Sequence, residues 1–130
     1  MATQRKKTAT QRKLATTEAE WWQLLKSKDS TFIRSAGDWR KALANPRTSP
    51  LAGCDPETIR EFTKNLRFNN GGLAHANYGV VAKKLTYDQF SRLWGMFGLD
   101  MGMFADYKDK ECKSTGTCRT SFGDVCTSNC

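Results

Sequence analysis

Aromatic stripes constrain this chain more than any other feature. Phe90, Leu93, Trp94 and Phe97 fall at i, i+3, i+4 and i+7, the spacing that gathers apolar side chains on one face of an α-helix. Thr86-Tyr87-Asp88-Gln89 precedes them as a capping box, and Gly98 follows as a C-terminal stop. Thr17-Glu18-Ala19-Glu20 is a second capping box and opens a helix carrying Trp21, Leu24 and Leu25 to about Lys28. Phe32, Ala36, Trp39 and Leu43 set a helix that starts at Asp29 or Ser30 and stops before Pro46, because a proline pushes the preceding residue out of the helical region. Asp55-Pro56-Glu57 opens another, with Asp at the N-cap, Pro at N1 and an acid near the positive dipole end; Ile59, Phe62 and Leu66 form its stripe. Helices of about three turns are marginal alone in water, so these stripes must bury against one another. The expected fold is mainly α, a small four-helix irregular bundle with Trp39, Phe62 and Trp94 at its centre.

The intervals carry weaker signals. Residues 46–54 read as a linker with Pro46, Pro50 and Gly53. Asn69-Asn70-Gly71-Gly72 marks a turn. Residues 73–85 stay open between a short strand at Val80 and Val81 and an irregular loop. After Gly98, Met101, Met103, Phe104 and Tyr107 are apolar without a firm period. The expected organisation is a disordered basic arm over 1–16, a helical domain over 17–107 and an irregular cysteine-rich tail over 108–130 packed on it. A chain of 130 residues makes one domain. Its 38% hydrophobic content leaves a modest core that a covalent staple would help.

The net charge is +8, and Arg5, Lys6, Lys7, Arg12 and Lys13 concentrate it in an arm without acids. The arm is a short tandem repeat, Ala2-Thr3-Gln4-Arg5-Lys6-Lys7 and then Ala9-Thr10-Gln11-Arg12-Lys13, with too little apolar surface to order itself. Those five cations suit an anionic partner, either nucleic acid or an acidic surface. The arm has no aromatic residue to stack on bases, so its contacts would be non-specific and salt-sensitive. There is no apolar stretch long enough to span a membrane and no secretory h-region. The Thr-rich, basic, acid-free start is compatible with import into a plastid-like organelle, the alternative being a cytoplasmic protein.

Cys112, Cys118, Cys126 and Cys130 crowd the tail. Four thiolates meet the ligand count of a structural zinc site, but only Cys126 and Cys130 have the short spacing such sites use. Disulfides are favoured over zinc, with the pairing left open, and they point to an oxidising or redox-cycled compartment. No cofactor is expected. Cys54, beside the Asp55 cap, reads as a packing residue. His75 is the single histidine, which excludes mechanisms that need two imidazoles, and it is expected as a loop histidine bonded to backbone. A calcium loop from Asp100 to Glu111 fails, because Gly102, Phe104 and Ala105 occupy positions that need oxygen ligands and glycine.

No catalytic constellation emerges. The expectation is a non-enzymatic interaction or scaffold module that docks a protein partner through exposed aromatics, with the arm adding electrostatic attraction. Trp21 and Trp22 cannot share one helix face, so Trp22 is a docking candidate, together with Met101 and Phe104. The alternatives are a redox-responsive regulator using tail cysteine pairs and a basic nucleic-acid-associated protein.

Overall fold

The computed structural model describes residues 14–27, 31–44, 50–51, 53–114, 117–127 and 129. It corrects the mainly α expectation: a four-stranded antiparallel sheet accompanies the helices, and the fold is mixed α/β. The described elements are α1 (Glu18–Lys26), α2 (Ala36–Leu43), α3 (Pro56–Lys64), β1 (Arg67–Asn69), β2 (Gly72–Asn77), α4 (Gly79–Ala82), α5 (Tyr87–Met96), α6 (Met101–Tyr107), β3 (Lys108–Ser114) and β4 (Thr117–Cys126). The strand order is β1-β2-β4-β3.

The helices form where caps and stripes coincide. In α5, Thr86 Oγ1 accepts from Gln89 N at 3.1 Å while Gln89 Oε1 accepts from Thr86 N at 2.9 Å, so both halves of the box are made. The helix ends on Gly98 (φ 98°), with Gly98 N donating to Gly95 O and Leu99 N to Trp94 O, the paired bonds of a Schellman motif. In α1, Thr17 caps Glu20 N, but the Glu20 carboxylate reaches one residue further back, to the amide and hydroxyl of Thr16. Helix α2 begins later than its stripe predicts. Ser35 accepts from Asp38 N and Asp38 accepts from Arg34 N, which fixes the start at Ala36 and leaves Phe32 buried in the turn before it. Residues 28–30 and 45–49 lie outside the described residues.

Packing brings the stripes together. Trp39 meets Phe62 with centroids 5.7 Å apart and stacks on Phe97 at 5.7 Å; Phe62 meets Trp94 edge-on at 6.1 Å, and Trp94 stacks on Phe104 at 5.0 Å. This aromatic core lies against one face of the sheet, where Ala76 and Val125 are register partners and fully buried.

The sheet is made from residues that sequence pattern left unassigned. Asn70 (φ 50°) and Gly71 (φ 82°) form the two-residue loop between β1 and β2, the left-handed pair that a hairpin turn of this length requires. Strand β2 opens on a glycine where α1 presses on it: a Cβ at Gly72 would collide with the Leu25 side chain. Val80 and Val81 lie in the short helix α4 instead of a strand.

Both ends also depart from expectation. The segment 108–130 supplies β3 and β4, and β4 lies between β2 and β3 in the sheet, so it is no irregular appendage. Thr127 extends the ladder, with N donating to Ala74 O and Oγ1 to Leu73 O. Asn129 is buried and its amide donates to Asn69 O and Gly72 O. At the other end, Ala15 is buried, with its N donating to Gly98 O and its O accepting from Asp100 N. Residues 14–16 therefore belong to the folded body. Arg5, Lys6, Lys7, Arg12 and Lys13 lie outside the described residues.

Candidate functional site

Strand β4 does not run straight. Cys118 and Cys126 are separated by eight residues, yet their Cα atoms lie 6.0 Å apart, whereas an extended strand would place them roughly 26 Å apart. The pairing register explains the bend. Lys108 pairs with Val125 and Lys110 with Thr120, so Asp109 alone opposes residues 121–124, a large bulge. Asp109 (φ 61°) and Gly123 (φ 92°) take the left-handed conformations that the corner needs. The hairpin beyond the bulge curls back, and a disulfide joins Cys118 to Cys126 with a Cα separation in the ordinary range for such a bond.

A polar network fixes the bulge. Asp109 Oδ1 accepts from the Tyr78 hydroxyl at 2.6 Å and from Gly123 N at 3.0 Å. These bonds hold the Asp109 carboxyl below its usual range, the Tyr78 bond contributing most. Burial, with the Asp109 bond second, pushes the Tyr78 phenol up to about 12. Ser121 Oγ donates to Asp124 Oδ2 at 2.7 Å, and Asp124 Oδ1 accepts from Asn77 Nδ2 at 3.2 Å and faces His75 Nε2 at 3.0 Å. His75 Nδ1 lies 2.8 Å from Asn65 O. A carbonyl only accepts, so Nδ1 carries a proton and donates to it. Both imidazole nitrogens are therefore engaged, and His75 clamps the end of α3 to β2 and β4. Its expected backbone bond is present, but His75 lies in strand β2 and not in a loop; the Asp124 bond has no counterpart in the sequence reading.

Beside this clamp is a cleft of about 390 Å³ lined by Arg67, Phe68, Asn69, Ala74, His75, Glu111 and Cys112. One wall comes from β1 and β2, and the other from the curled hairpin. His75 lies in the same cleft as Cys112, with its Nε2 turned to Asp124. Cys112 is itself disulfide-bonded, and its Sγ lies 3.6 Å from Cys126 Sγ. Glu111 Oε2 accepts from Arg119 Nε at 2.8 Å.

The cysteine candidates are thus partly resolved. Cys118 pairs with Cys126, Cys112 is oxidised, and Cys130 lies outside the described residues. Sulfurs held in disulfides cannot serve zinc as thiolates. Among the described residues, no group of three or more His, Cys, Asp or Glu side chains could hold a metal ion. Cys54 is a free, half-buried thiol, pushed up by burial and by Asp55.

The docking aromatics divide. Trp21 is buried, while Trp22 is half-buried and its Nε1 donates to Glu18. Met101 is half-buried. Phe104 is 5% exposed, taken up by the core rings of Trp94, Phe90 and Tyr78, which corrects its reading as part of a surface patch. The aromatic that sequence reasoning missed is Phe122, 88% exposed at the bulge. Its neighbours Ser121 and Gly123 were the available turn signal. No helix among the described residues is long and apolar enough to cross a membrane.

The chain matches no protein-family model, no curated protein and no solved structure.

Proposed function

We propose that this chain is a non-enzymatic binding module that docks an acidic protein partner by inserting Phe122 into an apolar pocket on that partner. The supporting observation is the combination of exposure and framing at the bulge. Leaving a phenyl ring in water forgoes about 2 kcal/mol of burial, yet its frame is held by the Cys118–Cys126 disulfide, the Asp109 bond to Gly123 N and the Ser121–Asp124 bond. A preorganised aromatic avoids much of the ordering cost of association and suits a hot spot. The hairpin around it exposes Lys108, Lys110, Lys113 and Arg119, which complement an acidic surface. A single ring is a poor platform for successive bases, so protein is favoured over nucleic acid.

The test is to place photoreactive p-benzoylphenylalanine at position 122 of the full chain in its native cell, with position 87, the other well-exposed aromatic, as control. A discrete protein adduct from 122 and not from 87, displaced by excess unaltered chain but not by Phe122→Ser, supports the reading. A nuclease-sensitive adduct, or no adduct specific to 122, overturns it.

The sulfur cluster favours a second reading, a redox-responsive regulator. A dithiol reductant that supplies two electrons to the Cys112 disulfide would leave a Cys112 thiolate beside Cys126. Attack there forms the Cys112–Cys126 bond and expels Cys118 as a thiolate, conserving electrons within the exchange. Graded reduction followed by alkylation and peptide mapping tests it. Labelling of Cys118 with a Cys112–Cys126 bond present supports exchange; simultaneous labelling of Cys112, Cys118 and Cys126 rules it out.

A further inference from the structure

The cleft beneath the hairpin supports a second binding activity that does not depend on Phe122. Arg67 follows α3 at the first position of β1. Its Nη1 donates to Lys64 O and Leu66 O, each at 2.9 Å. Those bonds fix one side of the guanidinium on backbone carbonyls at the end of the helix. Nε and Nη2, the opposite side, make no hydrogen bond to the described residues. A guanidinium held in this way presents two parallel N–H donors, the fork that accepts a carboxylate in bidentate fashion.

The surroundings define the ligand further. Glu111, the acid in the cleft wall, is paired with Arg119, and His75 faces Asp124, so that among the described residues the Arg67 fork is the unengaged charge of the cleft. Phe68, Ala74 and Cys112 add apolar wall. The volume of about 390 Å³ falls in the range of small-ligand pockets. A single fork beside a neutralised acid suits a monoanion better than a doubly charged phosphate. We infer that this cleft binds a carboxylate carried on a short apolar stem, with the carboxylate on Arg67 Nε and Nη2 and the stem against Phe68 and Ala74. Such a group occurs in a free aryl or alkyl carboxylic acid and at the C-terminus of a peptide ending in an apolar residue.

The test uses the unaltered full chain and NMR detection of the Arg67 Nε–H and the Ala74 methyl. The probes are 3-phenylpropionate and N-acetyl-Gly-Phe, each as its acid and its primary amide. Saturable shifts of both signals are expected with the acids, and about tenfold weaker binding with the matching amides. The tighter of the two acids identifies the source of the carboxylate. Arg67→Gln abolishes the acid preference, and Phe122→Ser leaves it intact, so failure here is distinct from failure of partner docking. Because Arg67 also supports the end of α3, the acid–amide comparison on the unaltered chain decides the matter if the variant unfolds. Equal binding of acid and amide, or no saturable shift at millimolar concentration, overturns the inference.

Discussion

The Tyr78 hydroxyl donates to Asp109 Oδ1 over 2.6 Å, joining the start of α4 to the residue on which the β3–β4 hairpin turns its corner. The bond makes stability depend on pH at both extremes. The Tyr78 phenol is raised from 10.0 to about 12, so its contribution is complete below the unfolded value and is lost as pH rises through that interval. The Asp109 carboxyl is lowered from 3.8, so its contribution is present above that value and is lost as pH falls through the depressed one. Tyr78→Phe should therefore remove the part of alkaline destabilisation that begins near the ordinary tyrosine range, while lowering the melting temperature at neutral pH. Thermal melts of both proteins from acid to alkaline pH check this; parallel curves would show that the bond is not coupled to folding.

Arg34 performs a task more often given to glycine or water. Its Nη2 donates to Leu24 O at 2.9 Å and Leu25 O at 2.7 Å, and its Nε donates to Gly71 O at 2.8 Å. One side chain thus satisfies the end of α1 and fastens it to the β1–β2 turn. Arg34→Ala should destabilise by about 3 kcal/mol, since charged donors to partly buried carbonyls are among the stronger hydrogen bonds. Arg34→Lys should recover little, because a point charge cannot reproduce the planar fork. Denaturant unfolding measures both; a lysine variant equal to the parent would show that charge alone suffices.

Sequence pattern was informative wherever local chemistry and the apolar period agreed. Thr86 and Gln89 framed α5, Asp55 and Pro56 framed α3, and Trp39, Phe62 and Trp94 did converge. The sheet was hidden for two physical reasons. Gly72-Leu73-Ala74-His75-Ala76-Asn77 has few of the β-branched and aromatic residues that mark strands, and at Gly72 α1 packs too closely to admit a side chain. Lys108–Ser114 is polar throughout, because backbone pairing, the bulge and oxidised sulfurs hold the hairpin in place of an apolar face. Asn70-Gly71 was the one strong local hairpin signal, and it reads as a plain turn when no alternating strands flank it.

The candidate site was still less legible. His75 meets Asp124 across a sequence separation of 49, and Arg67 meets Glu111 and Cys112 in one cleft only because β4 doubles back. That bend depends on positive φ at Asp109, a residue with no Cβ-free freedom to advertise it. Phe122 is out of phase with core-facing Val125 even on a regular alternating strand, and at the bulge it is left in water.

Gly72→Ala tests the contact between α1 and β2. The added methyl would meet Leu25 Cδ2 and lie 3.4 Å from Trp21 Cη2, in a layer where both side chains are buried. Overpacking of this kind should cost about 1–3 kcal/mol. The double variant Gly72→Ala, Leu25→Ala should lose less than the sum of the two single changes, because the second removes the obstacle to the first. Additive losses in chemical denaturation would place the cost of Gly72→Ala in the strand backbone instead.

Phe122→Ser should leave the stability of the free protein within about 0.5 kcal/mol of the parent, since the ring is 88% exposed and the bulge bonds run through its neighbours. Gly123→Ala should be markedly worse, because φ at Gly123 is 92° and its N–H is held by Asp109. Thermal melts of the two variants check the contrast. A large loss from Phe122→Ser would mean that the ring packs against the fold in solution.

The Cys118–Cys126 bond closes a loop of eight-residue separation. In the chain-entropy treatment, a closure of that length contributes about 2.5 kcal/mol. The paired change Cys118→Ser, Cys126→Ser should lower stability by about that amount, and its effect should be local before it is global. The first protons to lose exchange protection should be those of Lys110–Ser114 and Thr117–Thr120, where β3 pairs with β4 beyond the bulge, while the Ala76–Val125 pairing persists on the aromatic core. Amide hydrogen exchange of the variant against the parent separates the two zones. Uniform loss across both would mean that the hairpin and the core unfold as one unit, and that the curl of β4 is fixed by the whole fold in place of its disulfide.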